Sequence, residues 1–248
     1  MYINDINILY YLLVGIIGLV VGQFVDWCNI RLLDEKEIFC SEFFTIYLKD
    51  KKIKYGYMLL MCILYIGILY TNGFSLKALA FFMLAPMLMS VLLIDYKEKI
   101  IPNRLNLTIF EVGLVYTFAE GITNLNVAID MILGMVVGAG IFILITLIGG
   151  LIAGKEAMGL GDVKLMGALG LFFGWRSIII ISLLAFLLGA IIGIALIIVK
   201  RKKKDSYIPF GPCIVVAAVL SMLLPFNLLL FVTLKIFTVG TYKGKLSI

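Results

Sequence analysis

Apolar residues in this chain come in long, nearly unbroken runs, and the polar residues are gathered between them. Strands would alternate and soluble helices would show a one-sided stripe, whereas runs of this length read as membrane helices. A spanning helix needs about 20 apolar residues, fewer where it is short or buried in a bundle. Spans are predicted at roughly 7–27, 56–71, 76–94, 105–119, 128–152, 162–175, 177–199 and 212–237, the fourth and sixth being short. The expected fold class is therefore all-α, a polytopic membrane bundle of about eight helices with no room for a soluble domain. No basic residue precedes the first span, so the positive region of a secretory signal is missing and the helix is expected to be retained.

Composition agrees with the pattern. Of 248 residues 63% are hydrophobic and 15% charged, against roughly a quarter charged in a soluble globule. The formal charge of +6 is explained mostly by topology. Arg31, Lys36, Lys49, Lys51, Lys52 and Lys54 follow the first span, Lys97, Lys99 and Arg104 the third, Lys155 the fifth, and Lys200 through Lys204 the seventh. The opposite side receives only Lys77, Arg176 and the tail residues Lys235, Lys243 and Lys245. By the positive-inside rule both termini are expected to be extracytoplasmic. The run Lys200–Lys204 suits anionic membrane lipids as partners. Nucleic acid is not expected, because no aromatic residues interleave that run to stack on bases. Gly134/Gly138 and Gly189/Gly193 are spaced for close helix approach, read as packing within one bundle in preference to a dimer face.

Carboxylates at membrane depth are expensive, so each one needs an explanation. Those in the first loop and at helix ends read as solvated, which leaves Asp26, Asp95, Glu111 and Asp162. Asp95 sits in the last turns of the third span, because Pro102 stops the helix soon afterwards. Asp162 lies in Gly159-Leu160-Gly161-Asp162, just before an apolar stretch. The glycines there permit an unusual backbone or a close approach, and the aspartate is a fair helix N-cap. Taken singly, a solvated interfacial acid and an N-cap explain the two residues. Topology adds that one closes an inward-running helix and the other opens an outward-running one, so both lie at the cytoplasmic face. Two aspartates that meet at one depth have the composition of an aspartic protease dyad, in which close carboxylates share a proton and activate water. Such chemistry needs neither histidine, of which there is none, nor metal. Intramembrane carboxylates also serve transporters and proton relays, and that alternative stays open on these residues alone.

Several segments together resemble the type IV prepilin peptidases, a family of GxGD membrane aspartyl proteases. They are Met158-Gly159-Leu160-Gly161-Asp162-Val163-Lys164-Leu165 with Gly167-Ala168-Leu169-Gly170 and Gly174-Trp175, then Ile94-Asp95 with Pro102-Asn103, and Ile208-Pro209-Phe210-Gly211-Pro212. Gly22, Phe24 and Arg31 match a further element, although Asp26 stands where the family usually has asparagine. The resemblance implies a membrane aspartic endopeptidase acting on type IV prepilins or pseudopilins, which cuts at the cytoplasmic face after a glycine. It implies Asp95 and Asp162 as the catalytic pair, and a loop shaped by Gly159 and Gly161 along which the substrate strand lies. Lys164, with Lys97 and Lys99, is placed beside the dyad as a charge that favours an ionised aspartate, or as a headgroup anchor. Residues 1–72 become an N-terminal helix pair and 73–248 a six-helix GxGD core.

Most bacterial members of that family carry two CxxC pairs in the first cytoplasmic loop and methylate the new N-terminus with S-adenosylmethionine. Here Cys28, Cys40, Cys62 and Cys213 are scattered and the loop holds Cys40 alone, so no zinc or other metal site is expected. Proteolysis requires no cofactor, and methylation by S-adenosylmethionine is left open. Asp26 is read as equally a methyl-donor or substrate contact and a structural residue, and Glu111 as a satisfied polar group within the bundle.

Overall fold

The computed structural model describes residues 2–4, 6–34, 36–37, 54–153, 158–199 and 209–237. Among these, a small hairpin of β1 (Tyr2–Ile3) and β2 (Ile6–Asn7) precedes eight helices. They are α1 (Ile8–Leu33), α2 (Tyr55–Asn72), α3 (Leu76–Glu98), α4 (Asn103–Thr123), α5 (Leu125–Ala153), α6 (Leu160–Ile198), α7 (Gly211–Leu223) and α8 (Phe226–Phe237). Six, α1 through α6, are long and apolar enough to cross a membrane, so the protein is an all-α, multi-pass membrane bundle. The run Lys200–Lys204, Lys155 and Cys40 lie outside the described residues.

The hydropathy pattern predicts two spans where the backbone shows the single helical run α6, interrupted at Gly174 with φ 73° and ψ 171°. That residue is a reversal and not a mild bend. Gly138 of α5 packs against both Met166 and Ile178, which in a straight helix would lie about 18 Å apart along the axis. One turn further along α5, Phe142 stacks on Phe186, well past the reversal. Residues before and after Gly174 therefore run antiparallel, as two spans would, and only glycine takes that left-handed φ without strain.

The last predicted span is a correction. Residues 212–237 do not form one helix, because Pro225 lacks an N–H and forces Leu224 into an extended conformation (φ −114°, ψ 143°), so α7 stops and α8 starts afresh. With the crossing broken in this way, counting spans no longer fixes the side of the C-terminus. The hairpin was also not expected from the pattern. It is tied down by Asn7, whose side chain accepts from the Leu9 N–H to cap α1, and by Asn4, which donates to the Tyr70 carbonyl at 3.1 Å.

Small residues set the helix spacing. Gly18 and Gly22 bring α1 onto the backbone of α2 at Met61–Cys62 and Tyr57–Met58. Gly134 of α5 meets Gly170 and Gly174 of α6, and Gly189 seats the Phe210 ring. These glycines are thus occupied in packing within the bundle. The core they allow is continuous, from Met61 and Ile68 of α2 through Phe81, Leu84 and Leu88 of α3 to Leu165, Met166 and Phe172 of α6.

The bundle has two distinct ends. At one, the end of α3, the start of α4, the start of α6 and the start of α7 converge. At the other, Asn72 and Thr71 reach the Met222 carbonyl and bind the end of α2 to the end of α7. A cavity of about 650 Å³ opens at this second end, lined among others by Lys77, Tyr116, Glu120, Asp130 and Ser177.

Candidate active site

Asp95 lies in the last turn of α3, and its side chain is buried, with the residue 2% exposed. The solvated interfacial position that its sequence neighbourhood allows is therefore not what it adopts. The helix ends just beyond it, where Lys99 takes a left-handed conformation (φ 58°) and donates its N–H to the Asp95 carbonyl at 3.0 Å. Asp162 is the third residue of α6 and is 4% exposed. It does not act as the N-cap: its own N–H donates to the Gly159 carbonyl at 3.1 Å, and its carboxylate turns inward.

Residues 67 positions apart in the chain are thereby brought together. The carboxylates of Asp95 and Asp162 lie close enough for each to feel the other's charge, and both act on the Cys213 thiol of α7. Cys213 is itself buried. Neither carboxylate has a salt bridge among the described residues. Two buried like charges without a counter-cation cannot both stay ionised, so the pair holds a proton between them. That is the chemical requirement for one group to accept a proton from water while the other supplies one.

Three supports hold the arrangement, and residue types alone did not single them out. Asn106 of α4, 4% exposed, donates its side-chain N–H to the Gly161 carbonyl at 3.1 Å. Its Oδ1 has no hydrogen-bond partner although buried. Gly211, the first residue of α7, donates its backbone N–H to Asp95 Oδ2 at 2.8 Å. Ile101, just before Pro102, packs on Gly161, where an added Cβ would come within 3.2 Å of the Ile101 Cβ. The sequence signals for this brace were the proline and asparagine shortly after the third span and the Ile208-Pro209-Phe210-Gly211-Pro212 segment.

The remaining predicted residues are placed as follows. Gly161 stands in the first turn of α6 with ordinary negative φ, so close approach of Ile101 and not an unusual backbone explains its lack of a side chain. Gly159 precedes that helix and caps it through its carbonyl. Lys164 is exposed and its Nζ donates to Asn103 Oδ1 at 2.7 Å, so it braces the Pro102–Asn103 segment and does not contact the dyad. Lys97 and Lys99 are exposed at the same end. Asp26 is half-buried on α1. Glu111 is a correction: it is exposed and faces an apolar groove formed with Leu79, Met83 and Val115, not the bundle interior. Its place eight residues into α4 faces outward in the helical register, which a hydropathy count does not resolve. Among the described residues no group of three or more Cys, Asp or Glu is arranged to hold a metal ion.

Comparison with known proteins sharpens the reading. A model of the type IV leader peptidase family matches residues 82–194, a segment containing Asp95, Asn106, Gly161 and Asp162. The prepilin leader peptidase/N-methyltransferase of Aeromonas hydrophila is 33% identical over 167 residues, covering 66% of this chain and 56% of that protein. Its namesake from Aeromonas salmonicida is 35% identical over 147 residues, 58% of this chain and 49% of that protein. The namesake from Legionella pneumophila is 31% identical over 150 residues, 60% and 51% respectively. The chain spans about half the length of the curated relatives it matches. No solved structure gives a significant match. With the paired aspartates inside the matched segment, residues 82–194 of this membrane protein are similar to the type IV leader peptidase family.

Proposed function

We propose that the protein is a membrane aspartic endopeptidase that removes the leader of type IV prepilins or pseudopilins, with Asp95 and Asp162 as its catalytic pair. The observation that carries the reading is the meeting of these two buried carboxylates, without a salt bridge among the described residues, inside the segment that matches the leader peptidase family. Water held between them attacks the scissile carbonyl, one aspartate taking a water proton and the other supplying one, with no covalent intermediate. Cleavage after a glycine at the cytoplasmic face suits the accumulation of Arg31, Lys36, Lys97, Lys99, Arg104 and Lys164 near the dyad end, which the positive-inside rule assigns to the cytoplasm. The same rule puts the N-terminus, at the other end of α1, outside.

Gly159 and Gly161 border the dyad, and an extended substrate strand would lie along the segment at Gly159 that leads into α6, while Gly161 is covered by Ile101. The side chain of Lys164 serves that loop through Asn103 instead of reaching the substrate. Zinc has no place in this reading, since the first loop supplies one cysteine and the chain no histidine. The relatives' names include N-methyltransferase, and S-adenosylmethionine would supply the methyl group for such a step; hydrolysis needs no such donor. Co-expression with a prepilin, followed by mass measurement, tests the proposal. Wild type is expected to shorten the substrate and the Asp162→Asn variant to leave it intact; an uncut substrate with wild type, or equal cutting by the variant, sinks it. An added methyl group on the product would show that methylation is retained.

A further inference from the structure

The two carboxylates of the dyad have unequal surroundings, and the difference is one backbone N–H. Gly211 opens α7 and donates to Asp95 Oδ2 at 2.8 Å, while no donor among the described residues is hydrogen-bonded to the Asp162 side chain. The contact depends on residue 211 being glycine, because a Cβ there would stand 2.5 Å from Oδ2 and 3.2 Å from the Asp95 Cβ. A bond of this kind favours the charged form of the carboxylate and is roughly twice as strong as a neutral one.

Helix ends act on the same pair. The C-terminus of α3 disfavours an anion at Asp95 and the first turn of α6 favours one at Asp162. The N-terminus of α7, aimed at Asp95, offsets the first of these effects. The direct bond then outweighs the second, which is a field from partial charges without a contact to the carboxylate. The titratable groups that face Asp95 among the described residues are Asp162 and Cys213. Lys97 and Lys99 on its own helix are exposed, and Lys164 is engaged with Asn103.

We propose that the Gly211 amide divides the labour of the dyad, holding Asp95 as the ionised partner that deprotonates water and leaving the shared proton on Asp162. The inference rests on the peptidase reading and assigns each step. Water attacks the scissile carbonyl carbon; its proton passes to Asp95, and the Asp162 proton passes to the carbonyl oxygen, giving a gem-diol. The C–N bond then breaks as the proton on Asp95 moves to the amide nitrogen and a diol hydroxyl returns its proton to Asp162. Acid and amine leave, and the dyad is back in its starting state. Gly211 is a positioning residue in this scheme, acting on the reaction only through Asp95.

Replacing residue 211 by glycolate, so that an ester oxygen stands in place of the N–H, deletes the donor and adds no atom. In the full-length Asp162→Asn protein Asp95 is the remaining carboxylate of the pair, and infrared spectra of labelled aspartate follow its change from carboxyl to carboxylate as pH rises. With the ester at 211 that change is expected about 1–2 pH units higher, the shift that corresponds to losing one hydrogen bond to a charged group. Gly211→Ala, which pushes the carboxylate away from the amide, is expected to shift it in the same direction. An unmoved transition in both variants overturns the proposal. In the otherwise wild-type enzyme the ester is expected to move the acid limb of prepilin cleavage upward by a similar amount while sparing the alkaline rate; equal loss at every pH overturns it as well. If wild type cuts no prepilin, the peptidase reading fails, and the infrared titration still decides the assignment of charge.

Discussion

The two ends of the bundle both carry ionisable groups, yet they are organised in opposite ways. At the end of α2, Lys77 and Tyr116 lie near Glu120 beside one cavity, and Asp130 lies against the turn at Gly174 near Arg176. Charges of both signs face one another around a polar cavity. At the end of α3, two aspartates lie close together with a thiol beside them, and among the described residues Lys97 and Lys99 are exposed and Lys164 is tied to Asn103. Paired opposite charges are what a fold needs in order to keep polar groups at all, whereas unpaired like charges have a structural cost and are retained for chemistry. The difference separates a structural polar cluster from a candidate active site more clearly than burial does.

That contrast can be broken or sharpened by substitution. The largest effect is expected at the dyad, where Asp95→Asn or Asp162→Asn should each lower prepilin cleavage by at least about 10²–10⁴-fold, the usual contribution of a general acid or base. Thermal unfolding in detergent should show both variants folded and no less stable than wild type, because an amide of the same shape relieves the repulsion between two close carboxyl groups. A fully active single variant would remove the distinction between the ends. Next comes the brace: Asn106→Ala leaves the Gly161 carbonyl without its donor, and loss of a hydrogen bond worth about 0.5–1.5 kcal/mol should slow cleavage by up to about tenfold.

The opposite end should give the reverse result. Glu120→Gln weakens the pairing with Lys77 and is expected to reduce stability by about 1 kcal/mol while cleavage stays within about twofold of wild type, read from unfolding and turnover measured on one preparation. A strong loss of turnover there would mean that the cavity takes part in the reaction. The smallest effect is expected for Lys164→Ala, which breaks an exposed contact to Asn103 and should change kcat by less than about threefold. A larger loss confined to substrates with acidic residues near the cut would restore the lysine to the substrate site.

Much of the molecule is legible in its sequence, because a bilayer permits few ways of burying a backbone. Runs of apolar residues predict about eight spans, and the first seven coincide with α1 through α6, two of them sharing α6 across Gly174, since a backbone in lipid must satisfy its hydrogen bonds within the helix. The scarcity of acids isolates Asp95 and Asp162, since each carboxylate at that depth needs a reason. Helix direction, read from lysines, puts both at one end. Local punctuation was legible in part: Gly174 marks the reversal inside α6, and Pro225, visible in the sequence, ends α7 where hydropathy alone suggests a continuous span. Which way a helix is turned about its axis was not legible, so Glu111 faces outward where an inward polar residue was expected. A helix apolar on all sides carries almost no rotational signal.

What tertiary structure alone decides is which groups touch. The sequence names two aspartates and a glycine-proline turn more than a hundred residues from the first of them; the fold brings the N–H of that turn to 2.8 Å from Asp95 and, among the described residues, gives Asp162 no donor. Composition and hydropathy are sums over neighbouring residues and set depth and direction. A hydrogen bond between residues 116 positions apart depends on the angle and spacing of α3 and α7, which are set by the packing of every helix between them.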